Sequence, residues 1–371
     1  MNANKIVQAD LNYIINNARE EFNHLSGHRL LITGGAGFIG YYFVKAIVEW
    51  NLLAFKENSK TIDLLVYDNF QRGMPNWLNE LALKNLITVK NHDISNPLPS
   101  DLGDVDFIVH AASIATPVYY RKNPIETMDA NVYGLRHLLN YQKKRLSKKK
   151  YVGGLLYFST SEIYGNPDSN NVPTSEDYRG NVSCTGPRAC YDESKRFGET
   201  LCVNFSKQYD LPIKIVRPFN NYGPGLRLTD GRALADFCQN VLRNEDIVIL
   251  SDGTPTRTFC YISDAIVGYM KVLINGRNGE SYNIGTETPE ISIKKFAEMV
   301  ISISKDLFNY EGKLVFSKSN DEEYLTDNPN RRCPILKKAK IDLGYEPSIN
   351  LDEGLRRFLV WIKENPEQYS Q

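Results

Sequence analysis

Residues 33–40 read Thr33-Gly34-Gly35-Ala36-Gly37-Phe38-Ile39-Gly40. They stand between an apolar run (Leu30, Leu31, Ile32) and an amphipathic stretch carrying Phe43, Ile47 and Trp50. The pattern predicts a strand, a glycine turn and a helix in succession. Gly34 permits the sharp turn and Gly37 lets backbone approach a pyrophosphate. Gly40 lets the helix pack tightly on the strand, and the helix N-terminus faces phosphate charge. The spacing is Gly-x-x-Gly-x-x-Gly, and the flanking strand and helix give it its force. A second β-like run from Ile62 to Tyr67 ends at Asp68, followed by Asn69. A carboxylate there accepts hydrogen bonds from a ribose and repels a 2′-phosphate, which favours NAD over NADP. Asp68 lies further from Gly40 than the usual ~20 residues. The polar stretch Lys56-Glu57-Asn58-Ser59-Lys60 predicts a longer loop that accounts for the gap.

With 371 residues the chain buries a large core and is expected to split into two domains. Its formal net charge is zero, so bulk electrostatics favour neither nucleic acid nor an anionic membrane. The cations Lys143, Lys144, Arg145, Lys148, Lys149 and Lys150 follow an apolar helical pattern and read as a solvated helix end, complementary to the helix dipole. Cys184, Cys190, Cys202, Cys238, Cys260 and Cys333 form no C-x-x-C pair and no histidine cluster joins them, so no metal site is expected. A reducing compartment fits. No signal peptide and no apolar run approaching ~18 residues is recognised, and the expectation is a soluble cytoplasmic protein.

Residues 1–27 place Ile6, Leu11, Ile14, Ile15, Ala18 and Phe22 at helical spacing and predict an amphipathic helical extension. Its apolar face must be buried on this subunit or on a partner. From residue 28 to about 220, β-like runs (30–33, 62–67, 87–89, 107–110, 155–159, 213–216) alternate with helical patterns. The expected fold class is α/β, a Rossmann-type doubly wound parallel sheet. Beyond Asn220 the pattern changes to turns, short strands and helices near 292–304 and 352–363. This predicts a smaller C-terminal α/β substrate domain made of 221–255 and 286–371, with about 256–285 returning to the first domain.

Two segments carry candidate chemistry. Ser159-Thr160-Ser161-Glu162 follows the fifth strand, at the sheet edge where ligands bind in open α/β folds. Tyr191 and Lys195, four apart in a helical stretch, share one helix face. A lysine ammonium beside a phenol is expected to lower its pKa from about 10, so that the phenolate removes a proton from a sugar hydroxyl while the carbon gives hydride to nicotinamide. Thr160 or Ser161 would hold that hydroxyl. Asp192 and Glu193 read as solvated helix charges, and Cys190 as packing.

Together these motifs resemble the extended short-chain dehydrogenases/reductases of the nucleotide-sugar epimerase/dehydratase family, from about residue 28 onward. Further matching pieces are Asp93-Ile94, His110-Ala111-Ala112-Ser113, Asn131 in Asn-Val-Tyr-Gly, and Arg217-Pro218-Phe219-Asn220-Asn221-Tyr222-Gly223-Pro224. The resemblance implies a tightly bound NAD regenerated each turnover, with Gly34, Gly37, Phe38, Ile39, Gly40, Asp68, Asn69, Asp93, Ile94, Ala111, Ala112, Ser113, Asn131, Ser159, Tyr191, Lys195 and Pro218 around it. It implies a nucleotide-sugar substrate near Thr116, Asn220, Arg227, Arg232, Tyr261 and Arg331, and a homodimer. The 4,6-dehydratases carry an acid where Ser161 stands, and simple 4-epimerases usually lack a carboxylate where Glu162 stands. Thr160-Ser161-Glu162, Gly186-Pro187-Arg188-Ala189-Cys190-Tyr191-Asp192-Glu193 and Thr256-Arg257-Thr258-Phe259 are instead similar to the UDP-glucuronate decarboxylases. By that resemblance Arg257 orients the sugar carboxylate by its bidentate geometry and aids protonation. Glu162 positions the sugar or handles a proton near C5.

Some positions depart from the decarboxylase pattern. Gly225 replaces a usual arginine, Asn220-Asn221-Tyr222 is closer to the dehydratase form, and Ser113-Ile114-Ala115-Thr116-Pro117 resembles the loop of the aminoarabinose-pathway enzyme. Another nucleotide-linked uronic acid, a 4-epimerase, a 4,6-dehydratase, a 4-oxidase and a non-catalytic NAD-binding sensor or scaffold are the alternatives left open.

Overall fold

Burial on both faces makes a parallel strand a continuous apolar run, and Leu30, Leu31 and Ile32 are each fully buried at the centre of such a sheet. The computed structural model describes residues 2–319, 323 and 326–366. Its strands are β1 (Arg29–Thr33), β2 (Asp63–Asp68), β3 (Thr88–Asn91), β4 (Phe107–His110), β5 (Gly154–Phe158), β6 (Ile213–Pro218) and the edge strand Ser281–Ile284. Across the sheet they run Ser281–Ile284, β6, β5, β4, β1, β2, β3, with every pair parallel. The order reverses between β1 and β4, which opens a crevice at their C-terminal ends.

The glycine turn sits at that reversal. Gly34 has φ +74°, and a Cβ there would come within 2.6 Å of the Ala112 backbone. A Cβ at Gly40 would fall 2.3 Å from the Gly35 carbonyl oxygen, so this glycine seats the first helical turn on the loop rather than on the strand. Helix α3 (Phe38–Lys56) starts directly after Gly37. By length and mean composition it is apolar enough to cross a membrane, although Lys45 and Glu49 interrupt its apolar run. Here it is a core helix that carries ten buried residues and packs against the helix Ile262–Asn275.

The extension forms helices α1 (Ala3–Asn17) and α2 (Arg19–Leu25), and its apolar face is buried on this subunit. It packs on α3, Ile262–Asn275 and Leu351–Glu364. Its anchor is Asp10, which is fully buried. The Asp10 carboxylate accepts hydrogen bonds from Tyr42 Oη at 2.6 Å, Tyr261 Oη at 2.7 Å and Arg357 Nη1 at 2.6 Å. Tyr261 is thereby drawn into the core and is not a substrate-facing residue.

The smaller lobe pairs Ile247–Ile249 with Leu314–Phe316 and carries the helices Ala233–Arg243 and Ile293–Phe308. Thr256–Arg257 lies in a second small sheet between Ile291–Ser292 and Arg331–Arg332. Of the expected return segment, it is Ile262–Asn275 and Ser281–Ile284 that rejoin the large sheet. Removing one partner from a buried ion pair leaves the other uncompensated, at a cost of about 3 kcal/mol. Asp10→Ala is therefore expected to lower the melting temperature by roughly 3–5 °C. Asp10→Asn, which keeps acceptors for both tyrosines, should lose less; a thermal melt of the two variants checks both.

Candidate active site

A cleft of about 1210 Å³ follows the crevice from the glycine turn into the smaller lobe. On its cofactor side it is lined by Gly34, Gly37, Phe38, Ile39, Gly40, Asp68, Asn69, Asp93, Ile94, Ala111, Ala112, Ser113, Ser159 and Pro218, all expected there. Asp68 closes the turn, with Oδ2 accepting from Ala36 N–H at 3.0 Å and Oδ1 from Phe70 N–H at 2.9 Å. Asn69 donates to Asp93 at 3.0 Å. The donor set fits a dinucleotide. The Oγ atoms of Ser113 and Ser159 are buried on the cleft wall with no hydrogen-bond partner, and the glycine cradle leaves no room for side chains. Asn131 departs from expectation. It is fully buried in a π-helical turn and donates to Ser194 Oγ at 2.9 Å, bracing the tyrosine helix instead of lining the cleft.

Tyr191 and Lys195 project from the helix Ala189–Tyr209 and both reach the cleft, as do Thr160, Ser161, Glu162 and Arg257. Lys195 Nζ donates to the Phe158 carbonyl at 2.7 Å and lies 5.9 Å from the Tyr191 ring centroid. The expected lowering of the phenol is not what this arrangement gives. Burial pushes Tyr191 up to about 12, against a hydrogen bond with Thr160 that pulls it down. Burial also brings the Lys195 ammonium down to about 7. The ring of Tyr120 stacks on that of Tyr191, with centroids 5.1 Å apart and planes 6° apart.

Beside them is a cluster that the sequence disclosed only in part. Glu162 accepts hydrogen bonds from both Arg188 and Arg332. Burial would raise its pKa, but the charges of Arg188, Arg332 and Arg257 hold it down at about 2. Arg257 is 7 % exposed and spends both terminal nitrogens on protein acceptors: the carbonyls of Thr256, Asn330 and Pro329 and the side chain of Asn328. It supplies a fixed charge and an Nε–H, not the bidentate clamp expected. Burial and the neighbouring guanidiniums pull it below the usual arginine range, although a guanidinium keeps its proton throughout the physiological range.

Arg331 was the wrong member of its pair. It turns outward to Glu290 at 2.7 Å, while Arg332 lies opposite Arg257 in the strand register and faces the cleft. Successive strand residues alternate faces, so the pairing with Thr256–Arg257 decides between the two. Asp192 is likewise not solvated. It is 4 % exposed, and burial together with the Glu162 charge pushes it up to about 7. Glu193, next to it, is the half-exposed charge, 3.6 Å from Arg196. Thr116, Asn220, Arg227 and Arg232 also line the cleft, Arg227 near enough to Asp68 to act on its charge. Cys190 packs, its thiol 3.5 Å from the Tyr120 carbonyl.

Residues 30–285 match the model of the NAD dependent epimerase/dehydratase family. The chain belongs to that family. As a member it is an enzyme that takes NAD as its cofactor. It is 37% identical over 331 residues to UDP-glucuronic acid decarboxylase 6 of Arabidopsis thaliana, covering 89% of this chain and 87% of that one. It is 35% identical to UDP-glucuronic acid decarboxylase 1 of Xenopus tropicalis, over 91% of this chain and 73% of the relative. Among solved structures it is similar to UDP-glucuronic acid 4-epimerase from Bacillus cereus in complex with UDP-glucuronic acid and NAD. That match has a TM-score of 0.72 and 26% identity, covering 91% of this chain and 99% of the other. A dTDP-glucose 4,6-dehydratase from Streptomyces venezuelae with NAD bound matches at TM-score 0.76 and 25% identity, covering 92% and 98%.

Lys195 binds its proton less tightly folded than unfolded, so between pH 7 and its ordinary 10.5 the unfolded chain carries more protons. Stability therefore rises with pH across that window. Lys195→Met is expected to melt roughly 3–5 °C higher near pH 7, with the gain vanishing towards about pH 10. Melting curves at the two pH values check the sign, and a pH-independent gain would contradict it.

Proposed function

We propose that this enzyme decarboxylates a nucleotide-linked glucuronic acid, UDP-glucuronate to UDP-xylose in type. The observation that carries this reading is the convergence of Arg188, Arg257 and Arg332 beside Tyr191. Glu162 and Asp192 are at most two negative charges beside three guanidiniums, so this cluster has surplus positive charge for a carboxylate in the substrate. The relatives named as decarboxylases support the same reaction.

Held by the glycine turn and Asp68, NAD would supply reversible hydride exchange with C4 of the sugar. Tyr191, hydrogen-bonded to Thr160, takes the proton of the C4 hydroxyl, and the Lys195 ammonium favours the phenolate as it forms. The resulting ketone is β to the C6 carboxylate, so CO2 leaves to give an enolate. Fixed cations stabilise that charge without reorganising. Arg257, its terminal nitrogens held by four hydrogen bonds, has its Nε–H left for the sugar carboxylate. Glu162, locked between Arg188 and Arg332, aligns them rather than moving a proton. Ser161 stands where a leaving-group acid would be needed for dehydration.

A homodimer in a reducing cytoplasm completes the proposal. It is supported by six free thiols and by an apolar surface on neighbouring helices, where Ile125 is 58%, Tyr133 58% and Phe197 50% exposed. Sedimentation of Tyr133→Glu is expected to show monomer where the parent chain shows dimer.

The reaction is tested by mass spectrometry of purified protein incubated with NAD and UDP-glucuronic acid, with UDP-glucose in parallel. Loss of the mass of CO2 from the glucuronate sample, giving a pentose, is expected. Unchanged mass with an epimerised sugar by NMR would make the enzyme a 4-epimerase, and water loss from UDP-glucose would make it a dehydratase. Tyr191→Phe should lower kcat by about 10³-fold or more while NAD binding is retained.

A further inference from the structure

Replacing a carboxylate with hydrogen consumes a proton: R–COO⁻ + H⁺ gives R–H + CO2. This rests on the decarboxylase reading above. Tyr191 takes a proton from the C4 hydroxyl and gives it back when C4 is reduced again, so it supplies none in net terms. Glu162 is ion-paired to two arginines and has no proton to give. Arg257 is a permanent cation with its terminal nitrogens occupied.

Three polar atoms beside Tyr191 are buried with no hydrogen-bond partner: Tyr120 Oη, Arg188 Nε and Asp192 Oδ1. Buried polar atoms are nearly always paired; Arg188 Nε faces Asp192, which leaves Tyr120 Oη and Asp192 Oδ1 free for a partner from outside the protein. Tyr120 is 1% exposed, stacked on Tyr191, and lines the cleft together with Arg188. Asp192 stands one residue further along the same helix, its other oxygen 3.6 Å from Arg188 Nε. Around Asp192 are the charges of Glu162, Arg188 and Arg332, and the Tyr120 phenol in turn feels Asp192 and Tyr191.

We propose that Asp192 stores the required proton and delivers it, through the hydroxyl of Tyr120, to C5 of the sugar. The Tyr120 O–H bond breaks as the C5–H bond forms on the enolate. The carboxylic proton of Asp192 restores the phenol through a solvent water bridging their unpaired oxygens, and solvent reprotonates Asp192 after product leaves. No oxidant or reductant is required. The preference of the buried Asp192 for its proton next to the Glu162 charge suits a donor. The stack has a second role, since offset aromatic rings hold the base against tilting.

The test separates the stages of turnover in holoenzyme with UDP-glucuronate. Asp192→Asn is expected to oxidise C4 and release one CO2 per site at the rate of the parent enzyme, then stall with reduced nicotinamide absorbing on the enzyme. Its steady-state kcat should fall about 10²- to 10⁴-fold, the usual contribution of a placed acid. Tyr120→Phe, which keeps the stack, should stall at the same stage; Tyr120→Leu should slow the oxidation step as well. Full turnover by Asp192→Asn and Tyr120→Phe would overturn the proposal. So would loss of the first oxidation in both, which would make the pair a structural support of Tyr191. If the parent enzyme releases no CO2 from UDP-glucuronate, the functional reading itself has failed.

Discussion

Strands β1 and β4 are neighbours whose connections leave in opposite directions, and the cleft exists because nothing fills the crevice between them. The constraint that keeps it open is steric. The Gly34 backbone is pressed against Ala112 at the end of the neighbouring strand, and any side chain there would push the two apart. With the turn in place, α3 begins beside the crevice with its unpaired N–H groups facing it, and Asp68 at the end of β2 closes the far side. The position of β5 relative to β4 then sets where Thr160 and Glu162 stand, because Ser159 is the first residue past that strand.

The site is costly to the fold that carries it. Lys195 is buried with a carbonyl for its partner, and three guanidiniums crowd around Glu162. Such an arrangement persists only when surrounding structure fixes it, and several backbone carbonyls are committed to Arg257 alone. Preorganised charge of this kind stabilises an enolate without reorienting dipoles as it forms. The stability is recovered elsewhere, in the large core shared by α1, α3 and the helices Ile262–Asn275 and Leu351–Glu364. The N-terminal extension is therefore part of the scaffold, tied through Asp10 to Tyr42, Tyr261 and Arg357.

The α/β class, the six strands before residue 220 and most of the cofactor wall were legible in the sequence, because each rests on local pattern. Apolar runs, a glycine turn and an i, i+4 Tyr191–Lys195 pair need no knowledge of distant residues. The failures share one cause. Tyr261 looked available until Asp10, some 251 positions away, claimed its hydroxyl. Asp192 and Glu193 are adjacent charges on one helix, and only the packing of that helix against the turn Ser161–Tyr164 buries one and leaves the other half-exposed.

Local sequence is enough for the dinucleotide turn, the acidic strand end, and the tyrosine and lysine on one helix face, since backbone sterics and helical periodicity act over a few residues. Tertiary structure decided which of Arg331 and Arg332 enters the cleft, which arginines share Glu162, and that Tyr120 lies flat on Tyr191. Those choices depend on strand register and helix packing between segments far apart in the chain. A one-residue change in register reverses which face a side chain takes.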